Sequence, residues 1–152
     1  MKARAVFLDR DGTLVRPVHY PRRPEQLQLY PDLGPALRDL QERGFLLVVI
    51  TNQAGLARGY FAESDLQQMH TFLRAELERL GVSLSGIYHC PHHPEGIIPE
   101  LATECECRKP RPGLLLRAAR ELHIDLATSW FVGDILDDVE AGNVAGCRTI
   151  LV

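Results

Sequence analysis

The chain has 152 residues, of which 45% are apolar and 24% charged, with a formal net charge of -3. That size and balance exclude a disordered or fibrous chain and predict one domain over residues 1–152. The lack of an overall basic field excludes general nucleic-acid binding, and no apolar run approaches the roughly 18–20 residues of a membrane span, so neither nucleic acid nor membrane is an expected partner.

In chain order, Ala5 to Leu8 reads as a first buried strand, preceded by Met-Lys-Ala-Arg and no signal-peptide core, which predicts a cytoplasmic protein. Leu33 to Arg43 is spaced as an amphipathic helix stopped by Gly44, and Phe45 to Ile50 is a second strand. Glu63 to Leu80 repeats apolar residues at helical spacing and ends at Gly81, and Gly86 to His89 follows as a short strand. A helix over Leu114 to Leu122, a strand at Trp130 to Val132, a helix over Val139 to Val144 and a strand at Thr149 to Val152 complete the chain. Alternation of this kind predicts an α/β fold with a doubly wound parallel sheet covered on both faces.

Ligands of such sheets collect beyond the carboxyl ends of the strands, and every polar constellation of the sequence falls there. Asp9 and Asp11 flank Arg10 after the first strand, Thr51-Asn52-Gln53 follow the second, a Cys/His segment follows the third, and Gly133-Asp134 follow the fourth. Two carboxylates one residue apart can divide labour between a cation or an attack and a proton transfer, although a bare Asp-x-Asp is equally a turn. Thr51, Lys109 and Asp134 each taken alone read as a strand-end hydroxyl, a surface amine and a turn or helix cap. Basic residues are fifteen Arg and two Lys, which singles out the internal Lys109.

Four cysteines are present, and three of them, Cys90, Cys105 and Cys107, stand beside His92 in a Cys-x-His and Cys-x-Cys arrangement with twelve residues between the pairs. Three thiolates and one imidazole satisfy a closed tetrahedral Zn²⁺ site, which would order the aperiodic stretch from Cys90 to Lys109. His93 is a rival ligand, while Cys147 and His123 read as a buried thiol and a surface helix residue. A site filled by four protein ligands is structural, and Cys107 immediately precedes Arg108-Lys109, so the zinc would aim both cations.

The string Phe7-Leu8-Asp9-Arg10-Asp11-Gly12-Thr13-Leu14 resembles the first motif of the haloacid dehalogenase (HAD) superfamily of aspartate-nucleophile phosphatases. Thr51, Lys109 in Arg108-Lys109-Pro110, and Gly133-Asp134 with Asp137 and Asp138 follow in the order of the other three motifs, so the resemblance covers nearly the whole chain. It implies that Asp9 attacks phosphorus and Asp11 exchanges the proton, with Thr51 and Lys109 holding the phosphoryl group. It implies Mg²⁺ on Asp9, the Asp11 backbone carbonyl and Asp134. Asp137 and Asp138 compete for a supporting role, and the spacing from Asp134 favours Asp138.

Within that superfamily the zinc loop is shared by heptose bisphosphate phosphatases and histidinol-phosphate phosphatases. Thr51 to Gly59, Cys90 to Gly96 and Glu104 to Pro110 look like the former, a group that acts on a small sugar bisphosphate and removes the phosphate at carbon 7; histidinol phosphate is the alternative substrate, and a non-catalytic sugar-phosphate binder the alternative class. The paired Asp9 and Asp11 favour the enzyme, because a binder has no need of two carboxylates that repel its anionic ligand. The resemblance implies substrate contacts from Pro17, Val18, His19, Tyr20, Asn52, Gln53, Ala54 and Arg108, the last suited to a distal phosphate by its planar fork. Position 135 is Ile where the heptose enzymes often carry Lys, and the last strand ends at Val152 where relatives continue, so the C-terminus is either incomplete or a minimal version. A capless, open site and a monomer are expected.

Overall fold

The computed structural model describes residues 1–152. Five strands, β1 (Arg4–Leu8), β2 (Phe45–Asn52), β3 (Gly86–Cys90), β4 (Trp130–Gly133) and β5 (Arg148–Leu151), pair in parallel in the order β3-β2-β1-β4-β5. Four helices connect them: α1 (Leu33–Glu42), α2 (Glu63–Arg79), α3 (Gly113–Leu122) and α4 (Leu136–Ala145). This is the doubly wound parallel α/β fold that the alternating pattern predicts.

The period-two alternation of the central strands sorts their side chains into two cores. Val6 and Leu8 of β1 and Leu47 and Val49 of β2 pack with Leu37 of α1 and with Leu66, Met69, Leu73 and Leu77 of α2. Ala5, Phe7, Val48 and Ile50 point the other way, against Leu114, Leu115 and Ala118 of α3 and Ala141 of α4. A strand buried on both faces must be apolar at every position, which explains the uninterrupted runs Ala5 to Leu8 and Leu47 to Ile50.

From β1 the chain winds outward through β2 to β3, then returns across the sheet to lay β4 on the free side of β1. Direction therefore reverses between β1 and β4, and the crevice beyond their carboxyl ends is where such sheets bind ligands. Asp9 and Asp134 stand one residue past β1 and β4, and the Asp9 backbone N–H donates to Val132 O at 3.1 Å. The connection from β1 to α1 holds only a short 3₁₀ turn at Pro24–Gln26, and no cap covers the crevice.

Two boundaries differ from the periodicity by two residues or more, and the others shift by at most one. β2 continues two residues past Ile50, because Thr51 and Asn52 pair with His89 and Cys90 of β3. Helix α4 begins at Leu136, not Val139, because the Asp138 carboxylate accepts from the Asp134 and Ile135 N–H groups at 3.2 and 3.4 Å and caps the helix from within its own first turn.

Candidate active site

Lys109 is 3% exposed, and a buried ammonium needs every donor engaged and its charge matched. Its Nζ donates to Asp9 Oδ1 at 2.8 Å and to Ile50 O at 2.9 Å, and lies 2.7 Å from Asp138 Oδ1. Burial alone would lower the Lys109 pKa, but the carboxylates of Asp9 and Asp138 outweigh it and hold it above the ordinary lysine value. Asp9 shows the opposite balance: burial pushes its carboxyl up to about 6 against the pull of Lys109, and the neighbouring Asp134 adds to the rise.

The carboxylate oxygens of Asp9, Asp134 and Asp138 lie within 4.8 Å of one another. Against three carboxylates stands one lysine, so the cluster lacks positive charge, and its hard oxygen donors suit Mg²⁺. Room for the Asp134 carboxylate is made by Gly12, whose φ of +88° is left-handed and whose missing Cβ would come within 2.0 Å of Asp134 Oδ2. Asp138 has one oxygen on Lys109 and the other on the helix cap, which sets it behind the cluster, while Asp137 is exposed.

Asp11 faces a cavity of about 220 Å³ lined also by Val18, His19, Tyr20, Pro21, Asn52, Gln53 and Ala54. Both of its carboxylate oxygens receive the Arg10 guanidinium, Nε on Oδ1 and Nη2 on Oδ2, each at 3.0 Å. Gln53 Nε2 donates to the Thr51 hydroxyl at 2.9 Å and reaches Asp11 Oδ2 at 3.4 Å, so the second strand's polar tip is tied to the first strand's loop. Tyr20 takes a left-handed φ of 47° and packs edge-on against His19 and Tyr60 with ring centroids 4.8 Å apart in both pairs, forming an aromatic wall.

Cys90, His92, Cys105 and Cys107 converge from β3 and from both ends of the aperiodic loop. Cys107 Sγ lies 2.8 Å from Cys90 Sγ, 3.5 Å from Cys105 Sγ and 3.4 Å from His92 Nδ1. All four cysteines are free, and the sulfur separations are far beyond the roughly 2.05 Å of a disulfide. The hydrogen bond from Cys90, with further ones from His92 and Cys105, pulls the Cys107 thiol down to about 5, whereas the same contact with Cys107 and burial push Cys90 up. Three sulfurs and one ring nitrogen crowded around one point, with a thiolate favoured among them, fit Zn²⁺. Ile97 and Ile98 N–H groups donate to Ala57 O and dock the loop onto the segment after β2. The missing Cβ of Gly96, which would come within 2.7 Å of the same carbonyl, permits that approach.

The two cations that follow Cys107 are held by different neighbours. Asn52 brackets the Lys109 backbone, its Nδ2 donating to Lys109 O at 3.1 Å and its Oδ1 accepting from Lys109 N at 3.0 Å. Arg108 reaches His92 O at 3.5 Å and borders a second cavity of about 170 Å³ with Arg111, Glu104 and Pro94.

The structure thus brings Asp9, Asp11, Thr51, Lys109, Asp134 and Asp138 to one crevice and the side chains of Cys90, His92, Cys105 and Cys107 to one point. Val18, His19, Tyr20, Gln53 and Ala54 line the Asp11 cavity, whereas Pro17 is exposed and does not line it, its place being taken by Pro21. Asn52 lines the cavity with its amide committed to the Lys109 backbone. His93 stands outside the thiol cluster, paired through Nε2 with Arg58 at 3.3 Å. Ile135, the residue after Asp134, is 47% exposed. Sequence reasoning passed over Arg10, which is fully buried, and His70, which touches it from sixty residues away.

The HAD-hydrolase-like family model matches residues 106–152. A D-glycero-β-D-manno-heptose-1,7-bisphosphate 7-phosphatase of Haemophilus ducreyi is 47% identical over 150 residues, covering 98% of this chain and 82% of the relative. One of Escherichia coli K12 is 43% identical over 145 residues, covering 95% and 76%. The crystal structure of D,D-heptose 1,7-bisphosphate phosphatase from B. bronchiseptica, complexed with magnesium and phosphate, matches with a TM-score of 0.86 at 34% identity, over 97% of this chain and 79% of that one.

Proposed function

Because the chain belongs to the family of D-glycero-D-manno-heptose-1,7-bisphosphate 7-phosphatases within the HAD-like hydrolases, we propose that it hydrolyses the phosphate at carbon 7 of that bisphosphate and leaves the one at carbon 1. The observation that carries the catalytic reading is the Asp9 carboxylate held 2.8 Å from a buried lysine in the crevice between β1 and β4, with Asp11 two residues away on the substrate side.

A phosphate monoester resists attack because its oxygens repel an anionic nucleophile and its alkoxide is a poor leaving group. Asp9 attacks phosphorus through a carboxylate oxygen, and the bond from phosphorus to the sugar oxygen breaks. Asp11 gives its proton to that oxygen, then takes one from a water that attacks the aspartyl-phosphate, releasing inorganic phosphate and restoring Asp9. The Thr51 hydroxyl donates to the phosphoryl oxygens, and Lys109 neutralises their charge while its ion pair favours the ionised form of Asp9. Asp9, Asp134 and the Asp11 backbone carbonyl would hold Mg²⁺, with Asp138 behind them, and the ion when bound supplies charge to the phosphoryl oxygens. Cys90, His92, Cys105 and Cys107 would hold a structural Zn²⁺ that sets Arg108 and Lys109.

The sugar and its second phosphate would lie along Val18 to Tyr20, Gln53 and Ala54, with Arg108 for the distal anion. The open crevice leaves specificity to these loops. One folding domain in the cytoplasm is the setting we assign, since a reducing compartment keeps four free thiols from oxidising. No helix is long and apolar enough to cross a membrane.

The test is phosphate release by purified protein from heptose 1,7-bisphosphate and from histidinol phosphate. The bisphosphate is expected to turn over much faster, with heptose 1-phosphate as product, and Asp9→Asn to abolish turnover in a folded protein. Equal or better turnover of histidinol phosphate would replace the substrate, and an active Asp9→Asn would remove the mechanism.

A further inference from the structure

Arg10 carries the largest of the fully buried side chains, at 0% exposure. Moving a guanidinium out of water is strongly unfavourable unless it is paired and fully hydrogen-bonded, so its partners show what the burial achieves. The carboxylate that it pairs with is Asp11, gripped bidentately through Nε and Nη2 at 3.0 Å. Nη2 also leans on Gln53 Oε1 at 3.4 Å, and Nη1 donates to His70 Nε2 at 3.2 Å. A guanidinium can only donate, so His70 accepts at Nε2 and carries its proton on Nδ1.

His70 sits on α2 beside Met69, whose side chain is buried with Leu66 and Leu73 against the sheet, so the imidazole stands on a rigid helix. A line of contacts therefore runs from the packed face of α2 through His70 and Arg10 to both oxygens of Asp11, whose side chain is still 28% exposed toward the cavity. A short carboxylate on a loop has two free torsions; one gripped by a planar fork whose far end is buttressed has none to spare.

We propose that Arg10 and His70 are positioning residues for the proton-transfer step: Arg10 orients the Asp11 carboxylate, and His70 holds Arg10. The inference rests on the reading of Asp11 as the group that protonates the leaving oxygen. In an open site without a cap, the orientation of the acid has to be built into the floor, and this buried pair supplies it.

The readout is leaving-group dependence of kcat/KM, which covers the steps up to loss of the alcohol. Protonation matters for the sugar alkoxide of heptose 1,7-bisphosphate and little for the phenolate of p-nitrophenyl phosphate. In Mg²⁺-supplemented holoenzyme, His70→Leu is expected to lose about 10–100-fold on the bisphosphate, a part of what general acid catalysis contributes, and less than about threefold on p-nitrophenyl phosphate. His70→Gln, which returns an acceptor near the Nε2 position, is expected to recover most of the loss. If His70→Leu does not fold, His70→Asn, too short to reach Arg10, takes its place. Equal losses on both substrates, or a failure of Gln to rescue, would overturn the positioning role. Asp11→Asn separates that failure from one of the underlying reading. If it shows the leaving-group signature and the His70 variants do not, only the inference falls; if it keeps wild-type kcat/KM on the bisphosphate, the reading of Asp11 falls and the inference with it.

Discussion

Replacing Lys109 by Met keeps most of the stem volume and removes a charge on which two buried carboxylates depend. Asp9 and Asp138 are 7% and 2% exposed, and the Lys109 Nζ stands 2.8 and 2.7 Å from them. Breaking a buried ion pair from one side costs about 3–5 kcal/mol, because the remaining charge stays desolvated. For a chain of this length that corresponds to a fall in Tm of about 6–20 °C. The cost depends on pH with a definite sign. Burial already raises the Asp9 carboxyl from 3.8 to about 6, and Lys109 opposes the rise, so its loss lifts the folded-state value further. The Asp138 carboxyl, also raised by burial and held back by Lys109, moves the same way. A carboxyl that binds its proton more tightly in the folded state favours folding at low pH, and that advantage is lost as pH rises through the folded value. The gap between wild type and Lys109→Met is therefore expected to be full at pH 7.5 and to narrow toward pH 5. Urea unfolding of both proteins in Mg²⁺-free buffer at the two pH values measures it. A gap below about 1 kcal/mol at pH 7.5, or one that does not change with pH, would refute the account of Lys109 as the counter-charge of this crevice.

The purified protein is expected to hold about one zinc per chain by metal analysis, and Cys107→Ser to weaken that binding at least about tenfold and lower Tm, with activity falling as Arg108 and Lys109 lose their support. Full zinc content in Cys107→Ser would remove Cys107 from the ligand set. Burial, helped by the Arg10 charge, pulls the His70 pKa from 6.5 down to about 3, so below pH 6.5 the unfolded chain takes up a proton that the folded chain refuses. Stability is then expected to fall as pH drops from 6.5 to 5, by up to about 1.4 kcal/mol per unit from this group and less because the ring is partly exposed, and His70→Gln to flatten the slope in denaturant titrations. Arg108→Ala is expected to cost about 1–3 kcal/mol in kcat/KM on heptose 1,7-bisphosphate and little on a simple monophosphate; equal losses would take the distal phosphate away from Arg108.

What could be read from the sequence was what repeats or clusters locally. The strands announced themselves because burial on both faces demands unbroken apolar runs, and the thiol site because four soft ligands crowd one aperiodic stretch. The start of α4 escaped the apolar period, since Asp138 caps it from inside. Arg10 escaped for another reason. Between two aspartates it reads as a solvated spacer, and its burial depends on α2 bringing His70 across sixty residues, a contact that no local pattern encodes. Pro17 stays outside the Asp11 cavity that Val18 to Pro21 line, where the left-handed Tyr20 packs edge-on against Tyr60, an arrangement that proximity to the motif does not foretell.

The two metal-suited clusters are chemically unlike, and the chain joins them in three residues. Cys107 is bound into the thiol cluster, Arg108 leans on the carbonyl of His92, and Lys109 is clamped by Asn52 before its ammonium enters the carboxylate crevice. A lysine on a free loop would lose about 2 kcal/mol of side-chain entropy on ordering, besides the cost of burying its charge. Here the backbone is fixed from both sides before the side chain is placed: the thiol cluster holds position 107, and the tip of β2 holds position 109. The same β2 tip carries Thr51, and Gln53 just beyond it bonds to the Thr51 hydroxyl and reaches Asp11. Disturbance of the thiol cluster should accordingly pass to the crevice through the backbone at 108–109, whereas disturbance of His70 should pass through side chains to Asp11 and leave Lys109 in place. Zinc-loop and His70 variants are therefore expected to differ in kind. Loosening of the loop weakens the hold on the phosphoryl group for every substrate, and loss of the buttress selects against poor leaving groups.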